Sequence, residues 1–262
     1  MSTPDFEQIE NIIHDLGQEF LVDAAETLLT LSEVVERTRN ETAEAAQALL
    51  TIRREAHNLK GLAGSFGIPS ITLIAHRLEN YLSGLDNLKT HQLDNVLAFL
   101  DAMQDIVELA AEPGDDEVSR IVRSLPAKGA AKEDFQPTSD LEILLVAASS
   151  VLGHAVETKL HDLGFRVVTV KSSIDAFETA IRARPDMIIA SAVMKNVGGV
   201  DLARAFQAMT VTREIPFVLL TSFDRDHSEL HELPDSVGLI HHDRDLDNEI
   251  VGTIDQFGLS TG

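Results

Sequence analysis

Residues 49–66 read LLTIRREAHNLKGLAGSF, and the apolar positions of this stretch recur at helical spacing. Successive positions lie 3, 4, 3, 4 and 3 residues apart, which is typical of the buried seam of a helix packed in a bundle. These positions are Leu49, Ile52, Ala56, Leu59, Ala63 and Phe66. A second run between Ile71 and Leu85 repeats the spacing. We therefore predict that the N-terminal part of the chain is an all-α antiparallel four-helix bundle with short loops.

The chain changes character near residue 125. Residues 125–139 lose the periodicity and gather Pro, Gly, Ala and charged residues, as interdomain tethers do. Beyond this segment, short apolar runs alternate with helical patterns, which predicts a doubly wound α/β fold with a five-stranded parallel sheet. The runs are Leu141–Ala147, Phe165–Val170, Met187–Ala190, Pro216–Leu220 and Val237–Ile240. We expect two domains, 1–124 and 140–262, joined by a linker at 125–139.

Composition limits the classes of partner. The chain has 262 residues with 43 Asp and Glu against 21 Lys and Arg, a formal net charge of -22. Such a charge repels phosphate backbones and anionic lipids, so we expect neither nucleic acid nor a membrane surface as partner. The first residues lack a basic and apolar signal region, and no apolar run approaches about 18 residues, so we expect a cytoplasmic protein. The absence of cysteine excludes disulfides and thiol nucleophiles.

His57 lies on the outer side of the predicted seam helix. At 100° per residue, Lys60, Gly61 and Gly64 fall within about 60° of His57, whereas the apolar seam centres roughly 140° away. A neutral imidazole exposed in this way can attack a phosphoryl group, and Lys60 could offset the phosphate charge. A glycine inside a helix costs about 1 kcal/mol relative to alanine, so the two glycines indicate clearance for a docking partner. Close packing of helices is the alternative explanation.

His76 and Glu79 stand one turn apart in the second apolar run. A carboxylate there could accept a hydrogen bond from the inner ring nitrogen of His57 and select its tautomer. The pair could instead be an ordinary hydrogen bond on a helix surface.

At these residues the sequence resembles a histidine-phosphotransfer domain, and specifically the phosphoacceptor domain of chemotaxis-type histidine kinases. The segments that carry the resemblance are His57–Gly61, Ala63–Gly67 and Ala75–Leu82. The resemblance implies that His57 is phosphorylated on its outward nitrogen and that Lys60 supports the phosphate. It implies further that His76 and Glu79 form a hydrogen-bonded layer behind His57. We expect no cofactor and no metal ion. Sensor histidine kinases and response-regulator receiver domains are the implied partners.

The second half resembles a response-regulator receiver domain over residues 141–258. The landmarks are Arg184–Ile189, which leads into the third strand, and Thr221, which matches the hydroxyl residue that ends the fourth. Where receivers carry an acidic pair after the first strand, this chain has Ala147 and Ala148.

The acceptor aspartate of receivers is replaced by Ser191, and the lysine expected after the fifth strand is not evident in residues 239–244. A hard divalent cation needs several oxygen ligands, so magnesium binding should fail, and a lone serine hydroxyl is a poor nucleophile. We predict a pseudo-receiver used for binding or as a homodimer contact. No nucleotide-binding segment follows residue 140, so we expect a phosphoryl carrier and not an autonomous kinase.

Two other functions remain open at this point. Both domains could scaffold signalling proteins or inhibit a kinase without any chemistry. Alternatively, His57, His76 and Glu79 could hold a metal ion, because two histidines and a carboxylate can form an open zinc site. Lys60 argues against the metal, since it would place a positive charge beside the cation.

Overall fold

The computed structural model describes residues 6–40, 44–127, 139–147 and 151–259. The chain divides into two compact units, Met1–Pro126 and Ala127–Gly262.

The described part of the first unit is helical. Its helices are α1 (Phe6–Arg39), α2 (Ala45–Ala63), α3 (Pro69–Leu82), α4 (Thr90–Leu109) and α5 (Asp115–Ser124). Helix α1 packs against α2 and α4, and α3 packs against the same two helices. Four long helices therefore surround one core, which confirms the predicted helical bundle.

The seam of α2 is buried as its spacing predicts. Leu49, Ile52, Ala56, Leu59 and Ala63 are each at most 4% exposed. Helix α2 ends at Ala63, and a 3₁₀ turn, Gly64–Phe66, leads to Gly67 in the left-handed region at φ 80°. Helix α3 then begins with Pro69 in its first turn, where a missing backbone N–H costs nothing.

The short helix α5 follows α4 in the first unit. Val118 and Val122 are its buried residues. The guanidinium of Arg77, on α3, donates to the carbonyl of Val122 over 3.4 Å. Helix α5 thus buries two apolar side chains and is joined to α3 by this hydrogen bond.

The second unit contains a five-stranded, all-parallel sheet in the order β2-β1-β3-β4-β5. The strands are β1 (Glu142–Val146), β2 (Arg166–Val170), β3 (Met187–Ser191), β4 (Phe217–Thr221) and β5 (Gly238–His241). The helices are α6 (Val151–Asp162), α7 (Ser173–Ala183), α8 (Gly199–Ala208) and α9 (Leu246–Gln256). Separate apolar clusters lie on the two faces of the sheet. The predicted α/β fold is therefore confirmed.

One connection departs from the strand-helix alternation. Between β4 and β5 the described chain forms a single 3₁₀ turn, Ser228–Leu230, instead of a full helix. Leu230 and Leu233 are buried and anchor this connection to the apolar face of the sheet. Pro234, directly after them, would interrupt a longer helix.

Within the described ranges, no helix combines the length and the apolar character that crossing a bilayer requires.

Candidate functional site

His57 projects from the outer face of α2. Its side chain is 70% exposed, whereas its neighbour Ala56 is fully buried in the bundle. The α2 seam holds the helix against α3, so the rotation of α2 that buries the apolar residues also presents His57 to water.

Glu79 of α3 reaches both functional side chains of α2 with its two carboxylate oxygens. Its Oε1 lies 2.8 Å from Nδ1 of His57, and its Oε2 accepts from Nζ of Lys60 over 2.5 Å. We call these three residues the His57 cluster. Glu79 is 23% exposed and Lys60 29% exposed, so the histidine is the most accessible member.

The electrostatics of the cluster keep Glu79 ionised. Burial by itself would raise the pKa of the Glu79 carboxyl, but hydrogen bonds from Lys60 and His57, and the electrostatic attraction of these two groups, outweigh burial and lower this pKa below its usual value. An ionised carboxylate can only accept, so Nδ1 of His57 carries the hydrogen in the neutral ring. The lone pair of Nε2 is then the free nucleophile.

His76 stands apart from these bonds. It is half-buried on α3, one turn before Glu79, and neither hydrogen bond of the His57 cluster involves it. Among the described residues, no group of three or more His, Asp or Glu side chains is arranged to hold a metal ion. His57, His76 and Glu79 do not form a metal site of that kind.

The two glycines differ in their surroundings. A Cβ added at Gly61 would meet nothing within 4 Å, whereas one at Gly64 would lie 3.3 Å from Oγ1 of Thr72 on α3. Gly64 is also the residue that caps α2, so it does not lie inside the helix as the sequence suggested. Close packing therefore accounts for Gly64 and not for Gly61.

A groove beside His57 was not foreseen from the sequence. It has a volume of about 680 Å³ and runs between α1 and α2. Its α1 wall includes Leu16, Glu19, Phe20 and Asp23, in a segment whose acidic residues look like an ordinary solvated face. The sequence of α1 gives little indication of the groove, because these residues form a wall only when α2 packs beside α1.

In the second unit the expected degenerate positions lie at the carboxyl edge of the sheet. Ala147 directly follows β1, Ser191 is the last residue of β3, and Thr221 is the last residue of β4. The Oγ1 of Thr221 accepts from the backbone N–H of Phe223 over 3.0 Å. Ala148 lies outside the described residues.

His241 ends β5, near the position where the resemblance leads one to expect lysine. Its Nδ1 lies 2.9 Å from Oε2 of Glu249, and Arg244 donates to Asp224 over 2.5 Å. Burial would raise the pKa of Glu249, but hydrogen bonds from His241 and the charges of His241 and Arg244 lower it. His241 and Arg244 are thus already engaged by carboxylates of the same unit. His242, by contrast, is exposed, so the adjacent histidines do not share a surface.

Comparisons with known proteins cover the two units separately. Residues 15–112 match the family model of the Hpt domain. The probable transcriptional regulator ycf29 of Porphyra purpurea is 29% identical over 80 residues, which are 30% of this chain and 38% of that protein's length.

Two solved structures resemble 45% of this chain. They are the receiver domain of a sensor histidine kinase from Pseudomonas aeruginosa (23% identity, 98% of that chain, TM-score 0.40) and a chemotaxis response regulator of Vibrio cholerae (20% identity, 98% of that chain, TM-score 0.41).

Proposed function

We propose that residues 15–112, which match the family model of the Hpt domain, serve as a phosphoryl-carrying domain of a two-component phosphorelay and carry the phosphoryl group on Nε2 of His57. The partners are sensor histidine kinases and response-regulator receivers, which load the histidine and unload it. The observation that carries the proposal is the Glu79 carboxylate, which bonds His57 and Lys60 at once.

The chemistry follows from the protonation of the ring. The Nε2 lone pair attacks the phosphorus of a partner's aspartyl phosphate in line, the N–P bond forms, and the P–O bond to the aspartate breaks. The aspartate leaves as a carboxylate. Nδ1 keeps its hydrogen, so the ring becomes positively charged, and the Glu79 carboxylate stabilises that charge. The reverse step needs no additional proton.

Lys60 has two roles in the proposed phosphotransfer. In the unphosphorylated chain its ammonium holds Glu79 in position. We propose that it also offsets the charge of the phosphoryl group, since it lies one helical turn from His57. His76 lies one turn before Glu79 on α3, and we propose that it belongs with Glu79 to the polar layer behind His57.

The second unit is proposed to be a pseudo-receiver that binds proteins and accepts no phosphoryl group. Ser191 offers no carboxylate for an acyl phosphate, and Ala147 offers no ligand to a divalent cation. The two compact units support the division proposed from the sequence, with domains at 1–124 and 140–262 and a linker at 125–139.

The decisive experiment is phosphotransfer in the full chain. Wild type and His57→Gln are incubated with phosphorylated receivers and active histidine kinases of the same organism, and the label is followed. We expect acid-labile label on wild type and none on His57→Gln. Label retained by the variant would show that another residue, including Ser191, is the acceptor.

A further inference from the structure

Arg53 joins α2 to the end of α3, one helical turn away from the His57 cluster. Its Nη2 donates to two backbone carbonyls, that of Leu82 over 2.5 Å and that of Leu85 over 2.8 Å. On α2, Arg53 precedes His57 by four residues. On α3, Leu82 follows Glu79 by three residues. Residues three or four apart share a side of their helix, so the bonds of Arg53 lie next to those of Glu79.

The carbonyls that Arg53 bonds belong to a helix end and to the turn that follows it. Leu82 is the last residue of α3, and carbonyls of a last helical turn have no partner within the helix. Gly84 is in the left-handed region at φ 82°, where a side chain would be strained. This turn brings the carbonyl of Leu85 to the same nitrogen as that of Leu82. The positive charge of Arg53 also suits the negative end of the helix dipole.

A second contact joins the same two helices on the other side of Glu79. The hydroxyl of Thr72, on α3, donates to the backbone carbonyl of Lys60 over 3.3 Å. Thr72 precedes Glu79 by two helical turns, whereas Leu82 follows it by one. Glu79 thus lies on α3 between two contacts with α2, and α3 cannot slide along α2 without breaking one of them.

We infer that Arg53 is a positioning residue for the phosphoacceptor, because it holds the end of α3 at the height along α2 where the carboxylate of Glu79 reaches both His57 and Lys60. The inference rests on the proposed function, in which that carboxylate stabilises the charged ring. Against burial, which raises it, Lys60 and His57 lower the pKa of Glu79. Arg53 therefore acts on Glu79 through the packing of α3 against α2. A misplacement of about 1 Å at a reacting centre can cost about a hundredfold in rate, so such a contact affects the chemistry from outside it.

The test compares substitutions at two adjacent arginines in the full chain. Arg53→Met keeps an apolar stem and removes both hydrogen bonds. Arg54→Met removes the same charge from α2, but the side chain of Arg54 is 70% exposed and pairs with Glu55 of its own helix over 2.8 Å. Arg53→Lys keeps the charge and a donor with a shorter reach, so we expect intermediate effects from it. It also keeps the inference testable if Arg53→Met does not fold.

The first measurement is the ionisation of Glu79, followed through its carboxyl carbon by NMR during a pH titration and assigned with Glu79→Gln. We expect the pKa of Glu79 to rise in Arg53→Met, because the carboxylate moves away from Lys60 and His57. Arg53→Lys should raise it less, and Arg54→Met should leave it unchanged. If Arg53 only stabilised the fold, the pKa of Glu79 in the folded protein would not move.

The second measurement is the loading of His57 by phosphoramidate, a small phosphoryl donor that needs no docking. We expect the rate constant to fall about tenfold in Arg53→Met, about threefold in Arg53→Lys and less than about twofold in Arg54→Met.

The inference is overturned if the folded Arg53 variants keep the wild-type pKa of Glu79, if they load at the wild-type rate, or if Arg54→Met has the same effects as Arg53→Met. Each of these results leaves the proposed function intact as long as wild type is labelled at His57. A wild-type protein that takes no label at His57 contradicts the proposed function instead. The titration of Glu79 still shows in that case whether Arg53 holds its carboxylate in place.

Discussion

At the scale of single residues, Glu79 determines the state of the site. Its two oxygens satisfy Nδ1 of His57 and Nζ of Lys60, and its charge favours the proton on Nδ1. A glutamine could still accept one hydrogen bond, but it could not neutralise the charged ring that transfer produces.

Glu79→Gln should therefore slow phosphotransfer and lower the free energy of unfolding by about 1 kcal/mol at pH 7. Since the pKa of Glu79 in the folded chain lies below the ordinary 4.5, the ionised carboxylate stabilises the fold above about pH 4.5. That contribution is lost as the pH falls through the lower, folded-state pKa. The difference in stability between wild type and variant should then shrink in acid.

Thermal unfolding followed by Tyr81 fluorescence measures this difference, because Tyr81 is the single tyrosine of a chain without tryptophan. Glu33→Gln, at an exposed position of α1, is the matched control and should change neither the rate of phosphotransfer nor the free energy of unfolding. A stability difference that is constant from pH 7 to pH 3 would contradict the role assigned to the Glu79 charge.

Gly61 gives a second prediction at this scale. Alanine fits at Gly61 without any contact within 4 Å, so Gly61→Ala should stabilise the bundle by about 1 kcal/mol. It should also slow transfer to partner receivers, because the added methyl projects into the groove beside His57. Gly64→Ala is the comparison, and we expect no gain in stability because of the 3.3 Å approach to Thr72. A Gly61→Ala protein that is more stable and transfers at the wild-type rate would contradict the hypothesis that Gly61 leaves space for a docking partner.

At the scale of secondary-structure elements, α8 sits unusually close to the sheet. A Cβ at Gly199, the first residue of α8, would lie 2.4 Å from the carbonyl oxygen of Ser191 and 2.5 Å from Cδ1 of Leu219. The helix can start there only because that position has no side chain. Gly199 thus serves the packing of α8 against β3 and β4.

Gly199→Ala should destabilise the second unit by about 1–3 kcal/mol, the range for overpacking a well-filled core. Gly198→Ala is the neighbouring control, since its Cβ would come no closer than 3.5 Å to the carbonyl of Ala192. Urea unfolding followed by circular dichroism distinguishes the two variants. Equal midpoints would mean that α8 can move away from the sheet at little cost.

At the scale of the whole molecule, charge should govern how partners approach. The formal charge of -22 creates a field that attracts basic surfaces and repels small anions, and salt screens both effects. Transfer to a receiver with a basic docking helix should therefore slow as the ionic strength rises from about 0.01 to 0.15 M.

Loading by the anionic phosphoramidate should accelerate over the same range, because screening weakens its repulsion from the acidic surface. The two rate constants are measured on one preparation, with KCl as the salt. If both rate constants changed in the same direction with ionic strength, the charge of the protein would not account for its preference for basic partners.

Local patterns in the sequence predict most elements of the fold. Each of the five apolar runs begins and ends within one residue of the first and last residues of a strand in the structure. Short apolar runs bounded by turn residues are local signals, so the sequence alone can place them. The β4–β5 connection was less predictable, since a buried 3₁₀ turn and a helix share the same apolar residues.

The sequence by itself determined that His57 faces water with Lys60 beside it, because both positions follow from the 3.6-residue period of one helix. Only the tertiary structure decided that Glu79 joins them, since its carboxylate comes from another helix, 22 residues along the chain, through the packing of α2 on α3. The groove depends on packing to a still greater degree. Glu19 and Asp23 meet Glu55 only because α1 lies against α2, and no local periodicity encodes which helices become neighbours.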